Sequence, residues 1–341
     1  MAVGCGRTGL DTADSGGVSG DAGCHAEPPA SSGASQLAGG QWTAFAIRTL
    51  WLGDVDREGS GGDGGAWTQF GFDIDGLDTT SVSKNVCKLL PGLPIDNQTD
   101  GNCGIDNSFG QNWLPIFLTL FGTSVSSQVN AGIAAGGATD ILVLQLPASG
   151  DASNVQGVWL NGAVLGHSPK WDGTDVWPID SSSVANGDWM QANIRFDDGY
   201  VVNGTYVSVP RSGPGAITIG GLAETPSLEP WHVPITQVQV SVHIAPDGMS
   251  ATGGVLSAIM PASQVYSQFA SLCCDTGGFC SIPIQLEQAA DILADGTNRQ
   301  GVQCDGISLG IGFEATRVVL GPVVTVPVSS PCGDGGLAAG T

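Results

Sequence analysis

Residues 237–244 read QVQVSVHI, and this octet decides the fold more clearly than any other stretch of the chain. Val238, Val240 and Val242 alternate with polar residues, which is the pattern of a strand that buries one of its two faces. The octet is followed by the turn sequence PDG at 246–248. We therefore predict a half-buried β-strand here.

Similar signals recur along most of the chain. Apolar runs of strand length lie at 43–52 and 141–146, and Asn-Gly pairs typical of hairpin turns lie at 161–162, 186–187 and 203–204. Helical patterns are confined to 124–135, 262–272 and 284–293. These patterns predict a mainly β chain with β-sandwich-like sheets and a few short helices, with an α+β fold as the alternative.

Charge in this chain is scarce and one-sided. Charged residues make up 12% of the 341 residues, and the formal net charge is −22, with 32 acidic residues against 10 Lys and Arg. Nucleic-acid binding needs a basic surface to displace counterions from phosphates, so this composition excludes it as a main role. An anionic membrane surface is an unfavourable partner for the same reason.

The composition changes along the chain and suggests three parts. Residues 1–40 are rich in Gly, Ser, Ala and Asp and are predicted to form a disordered tether. Residues 41–150 form an Asp-rich strand, loop and helix region, and residues 151–341 form a β-sandwich-like region with a two-helix, disulfide-containing insertion. No apolar run reaches the length of about 18 residues that a transmembrane helix needs.

Nine cysteines favour an oxidising compartment, and their odd number needs an explanation. Cys5 follows Ala2, Val3 and Gly4, which weakly resembles a lipobox, so Cys5 is a candidate lipid anchor if a segment precedes the given sequence. The alternative is a free or disulfide-bonded cysteine. The other eight allow up to four disulfides, with Cys87–Cys103 as one local pairing across a loop rich in Pro, Asp and Asn.

Acidic and amide side chains are concentrated between residues 54 and 107. Short Asp and Asn side chains on Gly-containing turns can supply the many oxygen ligands that Ca²⁺ requires. The spacing is not that of an EF-hand, because Leu77 and Lys84 stand where an EF-hand loop beginning at Asp73 needs ligands. Solvated turns without a metal are the alternative. The candidate ligands are Asp73, Asp75, Asp78, Asp96, Asp100, Asn102, Asp106 and Asn107.

Tryptophan is unusually frequent, with nine Trp against three Tyr. Several lie in residues 159–189 among Asp and Asn residues, a combination that can stack on sugar rings and bind their hydroxyls. Filling of the core is the alternative. The candidate glycan face is Trp171, Asp172, Asp175, Trp177 and Trp189.

Two common catalytic motifs are missing from the sequence. There is no H-E-x-x-H pair and no phosphate-binding loop, and the four histidines are scattered. The chain is therefore not expected to be an enzyme, although a hydrolase with dispersed catalytic residues is kept as a third hypothesis.

Two sequence elements carry a family resemblance. GFDIDG at 71–76 and DGNCGIDN at 100–107, together with the tether, resemble uncharacterised exported lipoproteins of Gram-negative bacteria. The resemblance is specific over about residues 67–118 and implies surface display rather than a known activity. The expected location is outside the cytoplasm, in the periplasm, on the outer membrane surface or outside the cell. The sequence therefore predicts an exported structural or binding module, stabilised by Ca²⁺, with a glycan-binding domain as the alternative.

Overall fold

The computed structural model describes residues 26–60, 65–91, 97–121, 124–219, 231–271 and 287–327. The α-helices within these residues are α1 (Leu114–Phe121), α2 (Val125–Ala134) and α3 (Ala262–Ser271). The strands are β1 (Gln41–Trp51), β2 (Thr139–Leu146), β3 (Ala152–Gly162), β4 (Val176–Asp180), β5 (Val184–Ala185), β6 (Asp188–Ala192), β7 (Ile194–Val202), β8 (Thr205–Val207), β9 (Gly215–Ile219), β10 (Trp231–Ile244), β11 (Ser250–Pro261) and β12 (Gly306–Val324).

Eight of these strands form a closed ring in which every neighbouring pair is antiparallel. Its order is β1–β2–β3–β7–β8–β10–β11–β12, and β12 pairs again with β1. Each of the eight contributes to one apolar core, and alternation sends Phe45 and Ile47 of β1 into that core. The predicted mainly β, sandwich-like fold with few short helices is confirmed. The predicted parts 41–150 and 151–341 share this one sheet.

The octet that predicts the fold lies at the end of β10. Val238, Val240 and Val242 are buried in the ring core, as their alternation predicts. Asn186-Gly187 and Asn203-Gly204 form tight turns with positive φ at both residues, which fits hairpins between β5 and β6 and between β7 and β8. The third pair is different, because Asn161 lies inside β3 and donates its side-chain amide to Asp140 (2.9 Å).

A second apolar cluster lies outside the ring. Ala44 and Ala46 of β1 face outward with apolar residues of β2 and β3, and residues 171–192 cover them. Trp177 of β4 is the largest completely buried side chain in this cluster. We refer to residues 171–192 as the tryptophan layer.

The outer face of β11 and β12 is covered by a different segment, residues 66–91 and 97–110, here called the acidic layer. A Cβ atom at Gly310 or Gly312 would collide with Phe70, so this layer packs directly on the backbone of β12. The hydroxyl of Ser257 accepts the N–H of Phe72 (2.7 Å). Asn107 binds the same strand, because its amide donates to Gly310 O (3.1 Å) and accepts from Gly310 N (3.0 Å). Small residues on β12 therefore determine where the acidic layer lies.

The second part of the predicted tether is held against the ring. Leu37 N donates to Ser153 O (2.8 Å), Ser153 N donates to Ser35 O (3.0 Å), and the hydroxyl of Tyr200 donates to Pro29 O (2.5 Å). Residues 26–40 thus differ from the prediction, because main-chain hydrogen bonds to a strand need no large apolar side chains. Residues 1–25, including Cys5, lie outside the described residues.

The helices match the sequence patterns only in part. Residues 124–135 form α2, which Ser124 caps by accepting the N–H of Ser127, and residues 262–271 form α3. In the described part of the prediction at 284–293, Glu287 is helical, residues 288–289 form a turn, and Ile292 forms an isolated bridge to Gly306, so the predicted helix does not reach residue 293. The sequence patterns do not predict helix α1, which continues directly from a π-helical turn at Phe109–Trp113 and has Pro115 just after that turn. No helix among the described residues has the length and apolar character to cross a membrane.

Candidate metal centre

Three carboxylates of the acidic layer meet at one point. Asp73 and Asp75 follow the buried Phe72, and Gly76, with φ of 79°, turns the chain immediately after them. Asp106 comes from the returning segment and is only 2% exposed. One ligand oxygen from each of the three carboxylates lies within 4.8 Å of the others. The structure therefore brings together three of the predicted ligands in a cluster that could hold a metal ion.

Backbone amides fix the positions of these carboxylates. Asp106 Oδ2 accepts the N–H groups of Ile74 (2.6 Å) and Asp75 (3.4 Å), which ties the two segments together. Asp73 Oδ1 accepts the N–H of Gly76 (2.7 Å), and Asp75 Oδ1 accepts the N–H of Leu77 (2.8 Å). These bonds preorganise the oxygens before any cation binds.

Two further carboxylates lie near the cluster, and the pKa values of the whole group are raised. Burial raises the pKa of Asp100 to about 8 and that of Asp291 to about 7. Burial also raises the pKa of Asp73 to about 6. Asp106 has a pKa well above its ordinary value because it is buried and because Asp75, Asp100 and Asp291 repel its charge. The charged forms of these groups therefore need a nearby positive charge.

The described residues provide no cationic side chain for this group. None of the ion pairs within the described part of the chain involves Asp73, Asp75, Asp100 or Asp106. The nearby lysines noted in the sequence, Lys84 and Lys88, are exposed. The negative charge of these carboxylates must therefore be neutralised by bound protons or by a bound cation.

The remaining predicted ligands are placed differently. Asp78 and Asn102 are exposed, and Asp96 lies outside the described residues. The amide of Asn107 is fully engaged with main-chain groups of Trp67, Phe70, Gly110 and Gly310. Asn107 therefore holds the acidic layer on β12 and is not available as a ligand.

Sequence reasoning missed two residues that belong to the surroundings of the cluster. Asn298 donates to Asp75 Oδ2 (2.8 Å) across 223 residues of sequence, and it accepts the N–H of Cys87 (2.5 Å). Asp291 is half-buried and accepts both the N–H (2.8 Å) and the hydroxyl (2.5 Å) of Ser308. Local spacing carries no signal for such distant partners.

The predicted Cys87–Cys103 disulfide is wrong. Cys87 is bonded to Cys304, with a Cα–Cα distance of 5.1 Å, and Cys103 is bonded elsewhere. Lys88 N donates to Val302 O (2.7 Å) and Cys304 N donates to Lys88 O (2.9 Å), so backbone pairing brings Cys87 and Cys304 together. This disulfide fixes the segment that carries Asp291 and Asn298 next to the acidic layer.

The tryptophan layer does not present the predicted glycan face. Trp177 is completely buried and donates its indole N–H to Ala163 O (2.9 Å), while Trp171 stacks against it with a centroid distance of 5.5 Å. Asp175 is buried and accepts the N–H groups of Lys170 and Trp171.

The other two members of the predicted face are separate from this stack. Trp189 packs edge-on against Trp42, with a centroid distance of 5.4 Å, and Asp172 is exposed and bonded to Thr174. The Trp side chains thus act mainly in packing, and no row of exposed rings is present among these residues.

One histidine lies between an acid and a hydroxyl, as a hydrolase would require. His232 Nε2 is 3.4 Å from Asp180 Oδ2, and its Nδ1 is 3.3 Å from Thr218 Oγ1. Thr218, however, is only 1% exposed, so its hydroxyl cannot meet a substrate. This arrangement is a structural contact between β9, β10 and the end of β4.

Comparison with known proteins gives no assignment, since no family model, no curated protein and no solved structure matches the chain.

Proposed function

We propose that this chain is an exported structural or binding module whose acidic layer is stabilised by Ca²⁺. The convergence of Asp73, Asp75 and Asp106 carries the proposal, because three carboxylate oxygens within 4.8 Å of one another would repel strongly without a cation. The raised pKa values of Asp73 and Asp106 have the same physical origin, namely burial and neighbouring negative charge.

A hard cation fits this group of ligands better than a soft or borderline metal. All three side chains offer hard oxygen ligands, and the described part of the cluster contains neither His nor Cys, which soft or borderline metals favour. Mg²⁺ usually keeps several of its waters and is bound through one or two carboxylates, so a site with three protein carboxylates favours Ca²⁺.

The cation would act in stabilising the fold. Asp73 N donates to Ala26 O (2.8 Å), Asp75 is bonded to Asn298, and Asp106 follows the loop closed by Gly101 and Ile105. One ion bound by these carboxylates would therefore join the segment before β1, the acidic layer and the loop before β12. Such a role requires no chemistry on a substrate.

The direct test is removal of the metal from the intact chain. We expect elemental analysis to find Ca²⁺ at about one equivalent, and EDTA to lower the free energy of unfolding by about 3 kcal/mol when Ca²⁺ had been present at 100 times its Kd. Asp75→Asn should remove most of this Ca²⁺ effect, and the exposed Asp78→Asn is the matched control that should retain it. Unchanged unfolding with EDTA and absence of Ca²⁺ in the purified protein would overturn the proposal.

Export rests on separate observations. The Cys87–Cys304 disulfide and the bonded Cys103 are typical of an oxidising compartment. The scarcity of cations disfavours nucleic-acid partners. Display at a bacterial envelope, with Cys5 as a lipid anchor, follows from the sequence resemblance and completes the proposal.

Fractionation of cells that express the full natural open reading frame tests export. We expect the protein in the envelope or extracellular fraction, and Cys5→Ser should shift it from the membrane pellet to the soluble exported fraction. Recovery in the cytoplasm with free thiols at Cys87 and Cys304 would contradict export. An unchanged distribution of Cys5→Ser would contradict only the anchor.

A further inference from the structure

A cleft outside the acidic cluster lies between β10 and the loop before β12. It has a volume of about 470 Å³, within the range of small-molecule sites. Its lining is formed by Gln237, Leu293, Ala294, Asp295, Arg299, Val302 and Asp305. Leu293 also packs in the apolar core, and the other side chains of the lining are used neither by the proposed calcium role nor by that core.

The shape of the cleft depends on an unusual backbone at Gln237. Its φ is 53°, in the left-handed region that non-glycine residues rarely adopt, and it lies where the pairing of β10 with β11 shifts register between Thr236 and Gln239. Strained conformations of this kind cluster at binding sites. A Cβ atom at Gly296 would lie 3.2 Å from Gln237 Cγ, so a glycine opposite gives this side chain its room.

The opposite wall is rigid. The Cys87–Cys304 disulfide and the hydrogen bond from Asn298 to Asp75 hold the loop at two points. Within the loop, Ala294 N donates to Asp305 Oδ1 (2.8 Å) and Leu293 N donates to Thr297 O (3.0 Å). The cleft is therefore preformed, which lowers the entropic cost of binding a small ligand.

The polar groups of the cleft offer both donors and acceptors. Neither the amide of Gln237 nor Asp305 Oδ2 has a hydrogen-bond partner among the described residues. Arg299 pairs with Asp295 (2.7 Å), which leaves other guanidinium N–H groups to face the cleft. Two acids and one cation give a net negative charge, and this disfavours an anionic ligand.

The apolar part of the lining completes the chemistry. Leu293 is buried, and Val302 is 44% exposed although it is apolar. We propose that this cleft binds a neutral, polyhydroxylated ligand of mono- or disaccharide size, whose hydroxyls bond Gln237, Asp305 and Arg299 and whose C–H groups pack on Leu293 and Val302. A sugar site at this position is independent of the tryptophan layer.

The test is a titration of the ¹⁵N-labelled full chain, in buffer with Ca²⁺, with glucose, galactose, mannose, N-acetylglucosamine, maltose and cellobiose. We expect at least one of these sugars to cause saturable amide shifts at Gln237, at 293–299 and at Val302. Gln237→Gly suits the positive φ, and Asp305→Asn can keep the bond from Ala294, so both variants should fold. Each should weaken binding at least about fivefold.

The exposed Asp198→Asn, on β7, is the control and should bind like the natural chain. The proposal is overturned if no sugar of this panel shifts the cleft amides, or if both cleft variants bind the sugar with unchanged affinity. Sugar binding at the cleft does not depend on metal binding at the carboxylate cluster. The sugar titration and the metal analysis can therefore each give a negative result without affecting the other.

Discussion

The tryptophan layer and the acidic layer both cover an outer face of the same ring, but the surroundings of their buried carboxylates are opposite in charge balance. In the tryptophan layer, Asp175 accepts three hydrogen bonds from the N–H groups of Lys170 and Trp171, and the pair Trp171–Trp177 supplies apolar packing. In the acidic layer, Asp106 is buried beside other carboxylates, and its pKa is raised. The tryptophan layer stabilises its buried carboxylate with groups of the chain itself, whereas the acidic layer would be stabilised by an added cation.

The difference begins with the strands beneath. Outward-facing Ala44 and Ala46 let the tryptophan layer bury large side chains against β1. Gly310 and Gly312 of β12 instead admit main chain, so Phe70 and Asn107 lie directly on the strand. A layer that packs through its backbone has turns at its surface, and in this chain the turns carry Asp. Close packing of main chain on β12 thereby brings the carboxylates together.

Exchange of one carboxylate oxygen for an amide in each layer should separate the two cases. Asp175→Asn should lower the free energy of unfolding by about 1–3 kcal/mol, with or without Ca²⁺, because an amide N–H₂ would face the N–H donors of residues 170 and 171. Asp106→Asn at pH 8 in EDTA should instead stabilise the chain by about 1 kcal/mol, because it removes a buried charge that has no counterion. Urea unfolding of the two variants measures both effects.

Ca²⁺ should reverse the sign of the change in the free energy of unfolding for Asp106→Asn only. In saturating Ca²⁺, Asp106→Asn should be less stable than the natural chain, since a ligand charge is lost, while Asp175→Asn should show the same loss as in EDTA. Equal behaviour of the two variants in both buffers would remove the distinction between the layers.

The features of the two layers and the ring that depend on local sequence patterns could be predicted from the sequence. Alternation in 237–244 correctly predicts the core face of β10, and the pair Asp73 and Asp75 correctly predicts part of the acidic cluster. The positive φ of Gln237 has no local signature, because it arises where two strands shift register. The contact of Asn298 with Asp75 and the Cys87–Cys304 disulfide both depend on ring closure, which joins residues far apart in the chain.

The tryptophan prediction was less accurate for a related reason. Irregularly spaced Trp residues give no periodicity from which their exposure could be deduced, and the burial of Trp177 depends on β4 lying over the alanines of β1. The composition drew attention to the Trp residues of this layer, but only their packing in the structure shows that they form a core.

The pH dependence of unfolding should show the same contrast with a smaller effect. The folded-state pKa values of Asp73, Asp291 and Asp100 are raised to about 6, 7 and 8, above the unfolded value of about 3.9. The folded state thus binds more protons, so stability in EDTA is greatest at low pH and is lost as the pH rises toward 8. We expect a loss of at least about 1 kcal/mol between pH 5 and pH 8 in EDTA.

A carboxylate outside the layer provides the internal control for this measurement. Asp140 is buried at the start of β2, accepts the N–H of Thr218, and has a pKa raised to about 7 by burial. The contribution of Asp140 to the free energy of unfolding falls with rising pH in both buffers. Bound Ca²⁺ would keep the carboxylates of the acidic layer ionised at all these pH values, so their contribution would no longer depend on pH. The difference between the EDTA and Ca²⁺ profiles therefore isolates the acidic layer, and two profiles of equal slope would show that its carboxylates are balanced by protons alone.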